Sequence, residues 1–82
     1  MENIDGEKFN ISDFYIAAYF VAKGIRLLGV DRENPRRVLF IFKDFEDRPK
    51  LTEDFLLGNG LVNPKCYVSA IKELKDLIYT QI

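Results

Sequence analysis

The sequence predicts a small two-layer α+β domain with the order short β-α-β-β-α-α, in which an antiparallel hairpin is covered by helices. Three observations predict this fold: an apolar helical segment with marked ends, two β-like segments joined by an Asn-Pro turn, and an amphipathic segment near the C-terminus. The chain has 82 residues, 48% hydrophobic and 30% charged, which is enough for one thin core and too little for two domains.

The N-terminal residues predict a leader followed by a short strand. Residues 1–7 are polar and acidic and are expected to form a flexible leader, so the domain itself is predicted to span 8–82. Lys8 to Ile11 is expected to be the first strand. A secretory signal would be basic and then apolar, and no apolar run approaches the length of about twenty residues that crosses a bilayer. We therefore expect a cytoplasmic protein with no membrane association.

The first helix is predicted between Ser12 as its N-cap and Gly24 just beyond its end. Every residue from 14 to 22 is apolar or aromatic, so the helix has no obvious solvent face. Two arrangements fit: the helix is sandwiched between the sheet and the last helix, or one side is an interface. The tyrosines favour the second arrangement, which makes candidate interaction residues of the large side chains on one side, Tyr15, Tyr19 and Phe20.

Two β-like segments, Ile25–Arg32 and Arg37–Phe42, predict the hairpin, because Asn34-Pro35 between them is a strong turn signal. A short helix is predicted next, from about Arg48 to Leu57. We expect it to bury three side chains, Leu51, Phe55 and Leu56, and to stop at the glycines that follow.

The last helix is predicted to begin with Asn63 as N-cap and Pro64 at the first helical position. Apolar residues recur in it at spacings of three and four, whereas the opposite side is charged and expected to be solvated. The predicted apolar stripe consists of Tyr67, Ala70, Ile71, Leu74, Leu77 and Ile78.

Several segments together resemble a family of small bacterial and phage-associated proteins described only as a domain of unknown function. The resemblance spans residues 9 to 80 and is carried by Ser12–Tyr19, Ala22-Lys23-Gly24, Gly29-Val30, Arg32–Val38 with Phe40 and Phe42, Asn59, Leu61–Pro64 and Ile71–Tyr79. It implies no activity, substrate or cofactor. It suggests a phage or other mobile-element setting, in which small interaction proteins are common.

Charge is segregated along a chain whose total of 12 Lys and Arg against 13 Asp and Glu gives −1. Residues 23–43 hold six basic and two acidic residues, a local excess of +4. The excess concentrates at the hairpin tip, where Arg32, Arg36 and Arg37 are predicted to form a candidate interaction surface whose removal costs little stability.

Two kinds of partner fit a basic hairpin tip. A β-ribbon can contact a phosphate backbone, and alternate aromatic residues such as Phe40 and Phe42 occur where RNA-binding sheets stack bases. Alternation of this kind is more often part of a core, and Asp31 and Glu33 beside the arginines weigh against nucleic acid. A protein partner, including a second copy of the chain in a homodimer, is therefore preferred.

Candidate chemistry is weak elsewhere in the chain. The carboxylates of Asp44, Glu46, Asp47, Glu53 and Asp54 could hold Mg²⁺, but a polar loop with Asp47 as helix N-cap explains them better.

Nucleophilic catalysis is no better supported. Cys66 is predicted in the first turn of the last helix, where a thiol could be activated, but the chain has no histidine to serve as its base. We expect an inert, partly buried Cys66 and neither catalytic residues, metal nor cofactor. The sequence thus predicts a non-enzymatic interaction or accessory protein of a phage or mobile element that binds a partner or itself, with a small nucleic-acid-binding regulator as the alternative.

Overall fold

The computed structural model describes residues 7–34 and 36–79, and it confirms the predicted α+β class and element order. The predicted leader, apart from Glu7, and Pro35 of the turn lie outside the described residues. The elements are strand β1 (Lys8–Ile11), helix α1 (Phe14–Ala22), strands β2 (Leu27–Asp31) and β3 (Leu39–Lys43), and helices α2 (Arg48–Leu57) and α3 (Pro64–Tyr79).

The three strands form one antiparallel sheet in the order β1-β3-β2. The hairpin of β2 and β3 is as predicted, and β1 joins it on the free side of β3, with Phe9 opposite Phe42. The register shifts between Leu27 and Gly29, as in a β-bulge, which twists the β2 edge. Alternation along β3 places Phe40 and Phe42 on one face of the sheet, where they are 1% and 0% exposed.

The ring of Phe20 lies at the centre of the core. It meets the rings of Phe9, Phe42 and Phe45 edge-on, with centroid separations of 5.7, 5.6 and 5.8 Å. Edge-to-face pairs of this kind add to the free energy gained by burial alone. These contacts hold α1 against the sheet face that carries Phe9 and Phe42.

Helix α1 also packs against α3, so it is covered from two sides. Ala17 and Ala18 are completely buried, and α3 contributes Ala70 and Leu74 to the same core. The first of the two predicted arrangements is therefore the one observed. Small side chains on α1 let the two helices approach closely, which explains why a helix this apolar carries alanines in the middle.

We expect Ala18→Leu to overpack this contact and to lower the free energy of unfolding by about 1–3 kcal/mol. Ser69→Leu, at an exposed position of α3, adds similar bulk without a neighbour to displace and is the matched control. Urea unfolding of both variants measures the difference. Identical midpoints for Ala18→Leu and the wild type would show that α1 is not packed as described.

Three details of the fold differ from the sequence prediction. The N-cap of α1 is Asp13 and not Ser12: the Asp13 Oδ1 accepts the N–H groups of Tyr15 and Ile16 at 2.9 and 3.0 Å. Both strands of the hairpin are shorter than predicted: β2 is Leu27–Asp31 where 25–32 was expected, and β3 is Leu39–Lys43 where 37–42 was expected. Helix α2 has no fully buried residue: Leu51 and Phe55 are half-buried and pack against the core, whereas Leu56 is 66% exposed.

The other predicted helix boundaries are confirmed. Helix α2 has the expected limits and ends at Gly58, whose φ of 80° is in the left-handed region that favours glycine. Helix α3 begins at Pro64, and the Asn63 Oδ1 accepts the Lys65 N–H at 2.8 Å. Over the described ranges, no helix combines the length and the apolar content needed to cross a membrane.

Candidate interaction surface

The six residues predicted to form an interaction surface do not lie together. Tyr19 and Phe20 are only 3% and 0% exposed, so no partner reaches them in the folded chain, and their assignment to a surface is corrected. The Tyr19 ring packs against Phe55, with centroids 5.4 Å apart. These two side chains are buried in the core, as expected for a helix that other elements cover from two sides.

Arg32 stabilises the fold instead of standing free at the hairpin tip. Its guanidinium donates to the carbonyl oxygen of Ile78 at 3.1 Å and to that of Leu77, and the residue is half-buried. The last carbonyl groups of a helix lack partners within the helix and carry partial negative charge, so a cation placed there is favourable. Arg32 thus fastens the end of β2 to the end of α3.

Arg32→Ala is expected to lower the free energy of unfolding by about 1–2 kcal/mol, because the two carbonyl groups lose a charged donor. Arg36→Ala and Arg37→Ala are matched controls that remove the same charge from exposed positions and should stay within about 0.5 kcal/mol of the wild type. Three equal urea midpoints would refute the capping role of Arg32.

Arg36 and Arg37 remain available at the surface. The turn is shaped by Asn34, whose backbone oxygen accepts the Arg37 N–H at 3.0 Å and whose Oδ1 accepts the Arg36 N–H at 2.9 Å. Both arginines are exposed, and within the described part of the chain neither guanidinium has a hydrogen bond or ion pair. Two cations of the predicted tip are therefore free to meet a partner.

An open groove lies between the start of α1 and the end of α3, and we call it the tyrosine groove. It has a volume of about 290 Å³ and is lined by Phe14, Tyr15, Lys75, Ile78 and Tyr79. Tyr15 is 57% and Tyr79 74% exposed, so two aromatic side chains stand at the surface of a largely apolar depression.

Two contacts hold residues of the groove walls in place. The Tyr67 hydroxyl donates to the backbone oxygen of Tyr15 at 3.3 Å, and the Phe14 ring packs edge-on against that of Phe40 at 6.1 Å. Burial raises the pKa of Tyr67, and the nearby Tyr15 and Asp13 raise it further. The hydroxyl therefore keeps its proton, and with it this hydrogen bond, throughout the neutral range.

The tyrosine groove and the hairpin tip are neighbours. Arg32, beside the tip, binds the backbone of Ile78, and the Ile78 side chain lines the groove. We call the combined surface the tyrosine–arginine end, defined by Tyr15, Tyr79, Lys75, Arg36 and Arg37. Of these, Tyr79 and Lys75 were not predicted as site residues.

A signal for Tyr79 was present in the sequence. Tyr79 lies four residues after Lys75, which places it on the charged side of an amphipathic helix. A single exposed aromatic residue is common, so Tyr79 becomes informative only together with Tyr15, which lines the same groove.

Two of the acidic residues in the loop before α2 and in α2 itself, Asp44 and Asp54, pair with basic residues of α2. Asp44 accepts two hydrogen bonds from the Arg48 guanidinium, at 2.7 and 3.2 Å, and this partner holds the pKa of Asp44 below its usual value. Asp54 pairs with Lys50 at 3.2 Å. Asp47 stands at the N-cap of α2 but its carboxylate makes no capping bond. Among the described residues, no group of three or more Asp, Glu, Cys or His side chains lies close enough together to hold a metal ion.

Cys66 is exposed, so the expectation of partial burial is wrong. It lies in the first turn of α3 at the rim of a shallow depression shared with Ser69 and Glu73. Its neighbour Tyr67 is half-buried and bonds to Tyr15 of α1, whereas Cys66 lies on a different side of the helix. No general base from the described residues is seen to contact its sulfur.

A second group of exposed apolar side chains flanks the turn between α2 and α3. Leu56, Leu57 and Leu61 are 66%, 65% and 79% exposed. The Leu61 backbone oxygen accepts a hydrogen bond from Lys23 at 2.9 Å, which fixes the loop without covering the side chain. These leucines provide exposed positions away from the tyrosine groove for comparison.

A family model with the description "Domain of unknown function (DUF5659)" matches residues 6–80. Comparisons with curated proteins and with solved structures give no significant match.

Proposed function

Since the chain belongs to the DUF5659 family, whose description names no activity, we propose a function from its surface. We propose that it is a non-enzymatic interaction protein that binds a protein partner, or a second copy of itself, through the tyrosine–arginine end. The observation that carries this proposal is the pair of exposed tyrosines, Tyr15 and Tyr79, on one groove next to two exposed arginines.

Tyrosine and arginine are the residue types that interfaces favour. A tyrosine offers a large rigid contact area with a polar tip, and an arginine offers several donors, so both are enriched among the side chains that contribute most to binding. The groove walls are held by Tyr67 and Phe14, which reduces the entropy that binding must cost.

The setting of this activity is proposed from the sequence resemblance alone. We propose an accessory protein of a phage or other mobile element, acting in the bacterial cytoplasm. Fractionation of native cells, followed by detection of the chain, tests the compartment. Recovery from the membrane or from the medium would contradict it.

The proposed function is tested by photo-crosslinking in the native host. A photoreactive phenylalanine analogue replaces Tyr79 in one variant and Leu61, which is even more exposed, in the matched control. We expect a discrete protein adduct from position 79 and none from position 61. An adduct of twice the chain's mass identifies self-association. A third variant carries the analogue at Tyr15, and the absence of an adduct from both position 79 and position 15 contradicts the proposal.

A second function is favoured by Arg36 and Arg37, which are exposed and unpaired within the described chain. A small nucleic-acid-binding regulator would use them as phosphate contacts. Oligonucleotide affinity should then fall with salt, and the slope of log affinity against log salt should decrease by about 0.7–0.9 for each arginine removed. A slope unchanged in Arg36→Ala and Arg37→Ala excludes this function for the tip.

A further inference from the structure

A small pocket lies where the loop after α2 meets α1 and α3, and we call it the glycine pocket. Its volume is about 230 Å³, and its lining consists of Tyr19, Phe55, Gly58, Gly60, Val62 and Tyr67. None of these six side chains carries a charge, and none of them lines the tyrosine groove. The glycine pocket is therefore a separate site from the tyrosine–arginine end.

The Tyr19 hydroxyl is a buried polar group that has no hydrogen-bond partner among the described residues. Tyr19 is 3% exposed, and whereas the Tyr67 hydroxyl donates to a backbone oxygen, that of Tyr19 donates to none in residues 7–34 and 36–79. Buried hydroxyl groups in folded proteins normally have a partner, because an unpaired donor costs free energy. The partner of Tyr19 is therefore to be sought in whatever enters the pocket.

The hydroxyl end of Tyr19 lies at the pocket wall that Gly60 forms. A Cβ atom at Gly60 would stand 2.8 Å from the Tyr19 hydroxyl oxygen and 3.0 Å from its Cζ atom, which is too close for a side chain. The Cβ position of Gly29, by contrast, has no atom within 4 Å. Glycine at position 60 thus leaves open the space into which the hydroxyl points, as glycine does where a backbone approaches a ligand closely.

The remaining lining indicates the kind of molecule that fits. The rings of Tyr19 and Phe55 have centroids 5.4 Å apart, and Tyr67 adds a third ring. Aromatic rings pack favourably on one another, and a dry cavity of about 150 Å³ already holds benzene. A charged group would lose its hydration in this lining without gaining a charged partner. The pocket therefore suits one neutral aromatic ring.

We propose that the glycine pocket binds a small neutral aromatic molecule with one hydrogen-bond acceptor, a ring nitrogen or a carbonyl oxygen, which accepts the Tyr19 hydroxyl proton in a hydrogen bond. A partner protein cannot reach this buried side chain, but a molecule the size of a single ring reaches its hydroxyl through the space beside Gly60. The hydroxyl provides the selectivity, because a ring without an acceptor leaves it unpaired.

The test uses pyridine and benzene, two rings of nearly equal size of which only pyridine has an acceptor. Each is titrated into the isotope-labelled full chain at neutral pH and followed by two-dimensional NMR. We expect shift changes centred on the backbone amides of Gly58, Gly60 and Val62 with both rings. Tyr19→Phe should weaken pyridine about fivefold and should not weaken benzene, because only pyridine loses a hydrogen bond. The charged ring N-methylpyridinium should not bind.

Two glycine variants test the space beside the hydroxyl. Gly60→Ala should abolish binding of both rings, whereas Gly29→Ala, the matched control with an open Cβ position, should leave both affinities unchanged. If Gly60→Ala does not fold, Tyr19→Phe decides. Without any ring present, Tyr19→Phe should be at least as stable as the wild type, since it removes an unpaired hydroxyl.

The other outcomes overturn the inference. Equal effects of Tyr19→Phe on pyridine and benzene would show that the hydroxyl does not contact the ring. Shift changes centred on another surface would place the rings elsewhere, and no binding of either ring would leave water as the partner of the hydroxyl. A loss of stability in Tyr19→Phe without a ring would show that the hydroxyl is paired within the chain. None of these outcomes bears on the tyrosine–arginine end.

Discussion

Phe20→Ala is expected to lower the free energy of unfolding by about 3–5 kcal/mol, because the cavity replaces a ring that packs edge-on against three other rings. A domain of 82 residues has a free energy of unfolding on the order of 4–12 kcal/mol. If the wild type lies at the lower end of that range, the variant should be largely unfolded. Urea unfolding followed by circular dichroism measures the loss.

Tyr15→Ala is the matched control on the same helix, since Tyr15 is 57% exposed and its backbone contact with Tyr67 survives truncation of the side chain. Its unfolding midpoint should stay near that of the wild type. Phe20→Leu keeps the measurement possible if Phe20→Ala does not fold, and it should lose less stability. Equal stability of Phe20→Leu, Tyr15→Ala and the wild type would contradict the described core.

Leu74→Ala is expected to cost about 2–5 kcal/mol, because Leu74 is 1% exposed where α3 packs on α1. Leu77, one turn further along the same helix, is 38% exposed and provides the matched control. Leu77→Ala should cost less than half as much. A larger loss for Leu77→Ala than for Leu74→Ala would mean that α3 is rotated relative to its described orientation.

The helix ends and the order of elements could be predicted from the sequence because they depend on local chemistry. Proline at the first position of α3, asparagine before it and Gly58 after α2 act through their own backbone geometry, whatever surrounds them. The one-residue error at the start of α1 arose because Ser12 and Asp13 are both good caps and only the path of the chain decides between them.

The candidate site could be predicted only in part, because exposure depends on how elements pack. Tyr15 and Phe20 belong to the same apolar helix and cannot be distinguished by its pattern, yet one is exposed and the other completely buried. Arg32 differs from Arg36 only because α3 ends beside it, 45 residues or more later in the chain. Residues from both ends of the sequence line the tyrosine groove, so no local sequence pattern could predict it.

The central claim is that the tyrosine–arginine end binds a partner while the rest of the surface does not. Photo-crosslinking of the full chain in its native host, with the photoreactive analogue at Tyr79, at Tyr15 or at Leu61, tests it most directly. The account predicts a discrete protein adduct from positions 79 and 15 and none from position 61, which is the more exposed control. An adduct from position 61 alone, or from none of the three positions, would contradict it.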